Sequence, residues 1–375
     1  MRTLLLLVAA LITYGSLYPF HFAVNQNLSH EAAALFAMPT LHMRRGDLVG
    51  NLLLFAPFGL IAALHVDTRR PLRAAGTLAL LLAAGLLLAL ALQIAQLWVP
   101  GRVPELNDVL ANAAGMLLGV LAGWMGRRLF PNATVHLPHA LAPAVLMLLW
   151  LGYQWFPLVP TLDLQNVINA IKPLLRTPQV DVLRALHTAL AWLAFFKLWD
   201  IAAGKHTPTL VMAAAALAIL GAKLFIASAS ISPANAIGLG FALACLPWRQ
   251  HSMTLPALII AVFVSLLASG LAPFDPLSHA QTFHWVPFTG MLEGSMGINL
   301  LNFLEKCFIY GALIVLISGK GGRPLAAAIM LAIVLGMIEA AQLFLPGRTA
   351  ESTDPVLALV LGFGIRLLSM RGRPA

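Results

Sequence analysis

Charge is what this chain of 375 residues has least of. Lys, Arg, Asp and Glu together make up 10% of it, where a soluble domain carries roughly 25%. No hydrophilic coat can be assembled from so few charges, which excludes the soluble globular class. Cysteine is nearly absent: Cys245 and Cys307 both lie inside apolar runs, so no disulfide framework is legible. Acids are scarcer than bases, 14 against 23, for a net charge of +9. In so apolar a chain that excess marks cytoplasmic loops and contacts with anionic lipid, not a nucleic-acid partner. The sequence also lacks GxSxG, a P-loop, a dinucleotide fingerprint and HExxH. His21, His42, His279 and His284 lie in loops without paired-ligand spacing. No cofactor and no metal is expected, and whether a reaction is catalysed stays open.

What fills the chain is apolar. Hydrophobic residues make up 60%, and the mean hydropathy is +0.87. Apolar runs near 20 residues recur along the whole length, about what a bilayer core demands of a helix. Twelve spans are expected, at 3–20, 47–66, 74–98, 106–125, 139–158, 183–203, 208–227, 231–247, 254–273, 298–318, 324–345 and 354–370. The fold class is all-α, a polytopic transmembrane helix bundle of about twelve helices. The opening "MRTLLLLVAALITYGSLYPF" has the Arg and apolar core of a secretory leader. No clean small-x-small site follows, however, and "SLYPF" has a counterpart in "GLAPF" at 270–274, so it reads as a retained first helix.

With the N-terminus inside, twelve Lys and Arg fall in inner loops and termini, seven in outer loops and their helix edges, and four within spans. That bias places both termini in the cytoplasm and the protein in the cell's inner (cytoplasmic) membrane. Trp98, Trp124, Trp150 and Trp155, near span ends, are expected in interfacial belts.

One polar sentence occurs twice. "QLWVPGR" (96–102) and "QLFLPGR" (342–348) each close an apolar run, and each Arg is followed by acids three and six residues later: Glu105 and Asp108, then Glu351 and Asp354. Pro19-Phe20 and Pro273-Phe274 end the first and ninth spans, while "NLLLFAPFG" (51–59) is matched by "NFLEKCFIYG" (302–311). A degenerate third version, "AKLFIASASISPANAIG" (222–238), puts Lys223 in place of the Gln, Ala229 of the Arg, Ser232 of the first acid and Asn235 of the second. Three four-helix units follow, at 1–130, 131–252 and 253–375, the middle one having lost its charges.

Asn51, Phe55, Pro57, Phe58, Gly59, Gln96, Arg102, Glu105, Asp108, Asn112 and Gly115 form a pattern that resembles the VanZ-like membrane family. Two copies are recognisable, at the N- and C-terminal ends; "HWVPF" (284–288) is similar to the family's loop before its second helix. In the C-terminal copy Ala358 stands for Asn112 and Leu361 for Gly115, which puts an intact second site in doubt. The resemblance implies a cell-envelope compartment and a link to glycopeptide (teicoplanin-type) resistance, with no established reaction.

Glu105 and Asp108 are spaced i, i+3, and Asp108 and Asn112 i, i+4, so all three share one helix face. Pro104 suits a first turn. The candidate site is Gln96, Arg102, Glu105, Asp108 and Asn112, with Gln342, Arg348, Glu351 and Asp354 as the C-terminal set. Arg102 is expected to pair with Asp108 or Glu105, with Gln96 opening onto the same pocket. Two readings compete. Acids in a first turn complement the helix dipole by about 0.3–1 kcal/mol each, and the Arg staples the hairpin. Alternatively, an Arg fork at the interface holds a phosphate or carboxylate, and polar groups near the apolar zone mark a site.

Several other polar positions have simpler readings. Asp47 reads as an N-cap of the second span, and Glu339 as facing the bundle interior. Glu305 and Lys306, being adjacent, cannot face one another. "GMLLG" (115–119) is a small-xxx-small packing contact. Three functional classes remain: an envelope protein that binds or modifies a lipid-linked anionic component at the outer face, a secondary transporter or flippase, and a non-enzymatic assembly partner. The expected partners are membrane lipids and lipid-linked envelope precursors.

Overall fold

The computed structural model describes residues 2–24, 27–35, 45–129, 141–176, 180–204, 206–251, 253–290, 296–319 and 322–369. Among them are fourteen α-helices and no strand. They are α1 (Arg2–Leu17), α2 (Leu28–Leu35), α3 (Arg45–His65), α4 (Pro71–Gln96), α5 (Leu106–Leu129), α6 (Leu141–Trp155), α7 (Leu164–Arg176), α8 (Val182–Ala203), α9 (Thr209–Ala222), α10 (Pro233–Cys245), α11 (Thr254–Leu271), α12 (Met296–Ser318), α13 (Pro324–Gln342) and α14 (Thr353–Ser369). Each of the twelve expected spans is a helix, and α2 and α7 are additional. Among the described residues, seven helices are long and apolar enough to cross a membrane. The protein is a polytopic helical membrane bundle.

The chain divides into two compact units, 1–136 and 137–375.

In the first unit the sequence brings α3 and α5 to backbone contact. A Cβ on Gly119 would stand 2.7 Å from Leu60 N, one on Gly59 2.7 Å from Met116 C, and one on Gly115 3.0 Å from Leu52 C. Without a hydrophobic drive between helices in lipid, such small-residue seams are what allow close packing. The "GMLLG" stretch is thus one side of a helix seam. Around it Leu5, Ile12, Phe55, Phe58, Leu92 and Met116 form the core.

The second unit is built on aromatics. Trp150 lies 5.1 Å from Tyr153, 5.7 Å from Trp192 and 4.8 Å from Phe308, ring centre to centre. Trp150 is fully buried, which corrects its assignment to an interfacial belt: its ring fills the space between α6, α8 and α12. Trp98 and Trp124 are exposed. Asp47 is likewise corrected. It sits within the first turn of α3, which begins at Arg45, so it meets the helix dipole from inside the helix instead of capping it.

Candidate functional site

The doubled polar sentence closes a turn. After α1, a cis Tyr18-Pro19 bond is followed by Phe20 at φ 63°, and Ala23 N donates to Trp98 O at 2.9 Å. The final carbonyls of a helix lack intrahelical donors, and side chains at the end of α4 and in the loop after it supply them. Gln96 Nε2 donates to Ser16 O at 2.8 Å and Arg102 Nη2 to Tyr18 O at 3.4 Å. The C-terminal set does the same after α11. Ala272-Pro273 is cis, Phe274 has φ 63°, and Leu277 N donates to Phe344 O at 2.6 Å. Gln342 Nε2 reaches Gly270 O at 3.0 Å, while Arg348 reaches Ala272 O at 2.9 Å and Ser269 O at 2.6 Å. A third version follows α6: Phe156-Pro157 is cis, Leu158 has φ 63°, and Thr161 N donates to Phe225 O at 2.9 Å.

This corrects the expected pairing. Among the described residues no ion pair joins Arg102 to Glu105 or Asp108, and Gln96 turns to α1 instead of to the acids. The unmet carbonyls at the end of α1 compete for these donors, and they have no sequence signature.

The acids are held by other residues. Asp108 Oδ1 accepts from Asn51 Nδ2 at 2.7 Å and its Oδ2 from Gln93 Nε2 at 3.3 Å. Gln93, only 4% exposed, also accepts Glu105 N through Oε1 at 3.2 Å. One turn along α5, Asn112 is 4% exposed, and its Oδ1 has no hydrogen-bond partner among the described residues. In the C-terminal set Glu339 takes the place of Gln93. It faces the interior as expected and accepts Glu351 N at 2.8 Å. Asp354 accepts from Lys306 Nζ at 2.6 Å and Tyr310 Oη at 2.8 Å. Lys306, not Asn302, is therefore the counterpart of Asn51 at the acid. Glu351 also receives Gly290 N at 3.1 Å.

Beside the first turn lies a shallow groove. Phe22, Leu28, Ala91, Ile94, Ala95 and Trp98 line an apolar hollow of about 550 Å³. Ala23, Val24 and Trp98 border both it and a smaller, more polar pocket of about 190 Å³ that reaches Glu31, Gly101 and Arg102.

Residues 3–127 match the VanZ/LLP1 family model. No curated protein and no solved structure matches the chain. The VanZ-like region therefore spans α1 to α5 and holds the turn, the Asp108 cluster and the groove.

Outside the VanZ-like region, two further polar clusters stand in the second unit. Arg184 Nη1 meets Glu305 Oε2 at 3.0 Å, and its Nη2 donates to Tyr153 Oη. His187 lies 3.7 Å from Glu305 and 3.2 Å from Ser265 Oγ. Ser265 is 2% exposed. Glu305 and Lys306 thus meet different helices, as adjacency requires. The other cluster centres on Arg249, 3% exposed, which bonds Asp200 at 3.0 Å, Thr209 Oγ1 at 2.9 Å and Thr207 O. Within the VanZ-like region, sequence reasoning passed over Asn51 and Gln93 as site residues. The signal was present, since Asn51 belongs to the family pattern and Gln93 lies one helical turn before Gln96.

Proposed function

We propose that the VanZ-like region binds an anionic, lipid-linked component of the cell envelope at the outer face of the cytoplasmic membrane, with both chain termini inside. One observation carries this reading: an apolar groove along α4 runs into a polar pocket bordered by Arg102. A hydrocarbon chain suits the first, and a phosphate or carboxylate suits a guanidinium fork. Arg102 is exposed, and its contact with Tyr18 O uses one of five donors. The basic skew of the loops supports the orientation. The recurrence of the turn, its left-handed residue and its backbone bond supports a further part of the reading. In it 1–130, 131–252 and 253–375 are copies of one four-helix unit, the middle copy carrying Ala229 and Asn235 in place of Arg102 and Asp108.

The test uses the full chain in nanodiscs of choline-headed lipid, titrated with a polyprenyl phosphate. Arg102→Lys keeps one donor for Tyr18 O and loses the planar fork. Retention should fall roughly tenfold or more in both Arg102→Lys and Arg102→Ala, the size of a lost charge-assisted hydrogen bond, with unfolding temperature unchanged in the Lys variant. Equal retention in all three proteins overturns the proposal and leaves Arg102 as a staple of the turn. Teicoplanin susceptibility of cells carrying the same variants gives the cellular readout of the resistance link.

A further inference from the structure

We propose that the VanZ-like region carries a second site, for a primary ammonium group, built from Asn51, Gln93, Asp108 and Asn112. It goes beyond the lipid groove, since none of these four residues lines it.

Asp108 lies in the first turn of α5, only partly exposed, and each of its oxygens accepts one amide N–H. A carboxylate offers about four acceptor directions, so Asn51 and Gln93 leave room for more donors. A carboxylate out of bulk water is ordinarily accompanied by a cation, yet among the described residues no ion pair reaches Asp108. Asn112, on the same face one turn deeper, adds a buried oxygen with no donor among the described residues. Leaving such an acceptor unmet is costly. Both groups therefore call for a donor, and both repel a phosphate or a carboxylate. An ammonium group, with three N–H donors and no acceptor, meets both demands at once.

The C-terminal set shows such a group seated. There the side chains reaching the acid from α12 are Lys306 and, one turn on, Tyr310, at 2.6 and 2.8 Å from Asp354. In the VanZ-like region the residues at that spacing on α3 are Asn51 and Phe55, which bring neither charge nor hydroxyl. The deeper position changes in the opposite sense. Where the chain supplies its own ammonium, Ala358 stands fully buried in place of Asn112. The internal Lys and the unmet amide are thus alternatives, as expected if the amide serves an ammonium that comes from outside the chain.

Two sources offer that chemistry, an amine-headed lipid and a free amine. Full-length protein in nanodiscs of choline-headed lipid, whose quaternary nitrogen carries no N–H, is titrated with ethanolamine-headed lipid and, separately, with soluble ethanolamine. Bound lipid is counted by native mass spectrometry and soluble amine by isothermal titration. Binding of either probe by the wild type, about tenfold or more weaker in Asp108→Asn and in Asn112→Ala, supports the site. The probe that binds identifies the source. Asn51→Lys, which copies the Lys306 arrangement, should abolish amine binding and raise the unfolding temperature. Arg102→Ala should leave amine binding intact, and Asp108→Asn should leave polyprenyl phosphate retention intact, so the two sites fail separately. If Asp108→Asn does not insert, Asn112→Ala carries the test alone. Absence of binding by both probes, or binding equal in wild type and Asn112→Ala, overturns the proposal.

Discussion

Replacing Gly119 by Ala adds one methyl group at the tightest seam of the VanZ-like region. The new carbon would stand 2.7 Å from Leu60 N and 2.9 Å from Ala56 C, both backbone atoms. An unstrained contact needs about 3.5 Å, so α3 and α5 must separate by roughly 1 Å. Neither backbone can rotate away as a flexible side chain would. Overpacking of this kind costs about 1–3 kcal/mol, and separation also lengthens the 2.7 Å bond from Asn51 to Asp108. Gly126 on the same helix is the internal control, because a Cβ there meets nothing within 4 Å. Gly126→Ala should be neutral, or stabilising by up to about 1 kcal/mol from helix propensity. Reversible unfolding in mixed micelles, followed by circular dichroism, gives both numbers. Gly119→Ala as stable as Gly126→Ala would refute the backbone-contact seam.

Other perturbations have equally definite outcomes. Arg249→Ala leaves the half-buried Asp200 without its guanidinium and should cost about 3–5 kcal/mol, measurable as a large drop in unfolding temperature, while Lys197→Ala, which removes only a donor to the Arg249 carbonyl, should cost far less. Trp150→Ala opens a cavity amid Tyr153, Trp192 and Phe308 and should cost about 3–5 kcal/mol; denaturant titration checks it, and a loss under 1 kcal/mol would contradict the aromatic core. Cysteine substitutions at 102 and 348 should react with impermeant thiol reagents from outside the cell, and labelling only after permeabilisation would reverse the proposed orientation.

The spans were legible because composition alone forces them: an apolar stretch near 20 residues has few alternatives to a helix in lipid. Helices α2 and α7 were not. α7, "LQNVINAIKPLLR", alternates Leu and Ile with Asn, Gln and Lys at helical spacing, so an average over its length looks like a polar loop. The face shared by Asp108 and Asn112 could be read from i, i+4 spacing, as could the impossibility of a Glu305–Lys306 pair. Their partners could not. Asn51 lies 57 residues from Asp108, and Arg102 lies 84 residues from the carbonyl it serves. A backbone oxygen leaves no trace in the choice of amino acids, whereas an acid does. The sequence therefore suggested an ion pair where the fold makes a cap.

The two neighbours on α12 have a mechanical consequence. Successive residues of a helix point about 100° apart, and here one arm is anchored to Arg184 and the other to Asp354. Rolling the helix about its own axis in either direction would pull at least one arm from its anchor. Each ion pair therefore opposes rotation of α12 about its own axis, and the two act from different sides of the helix.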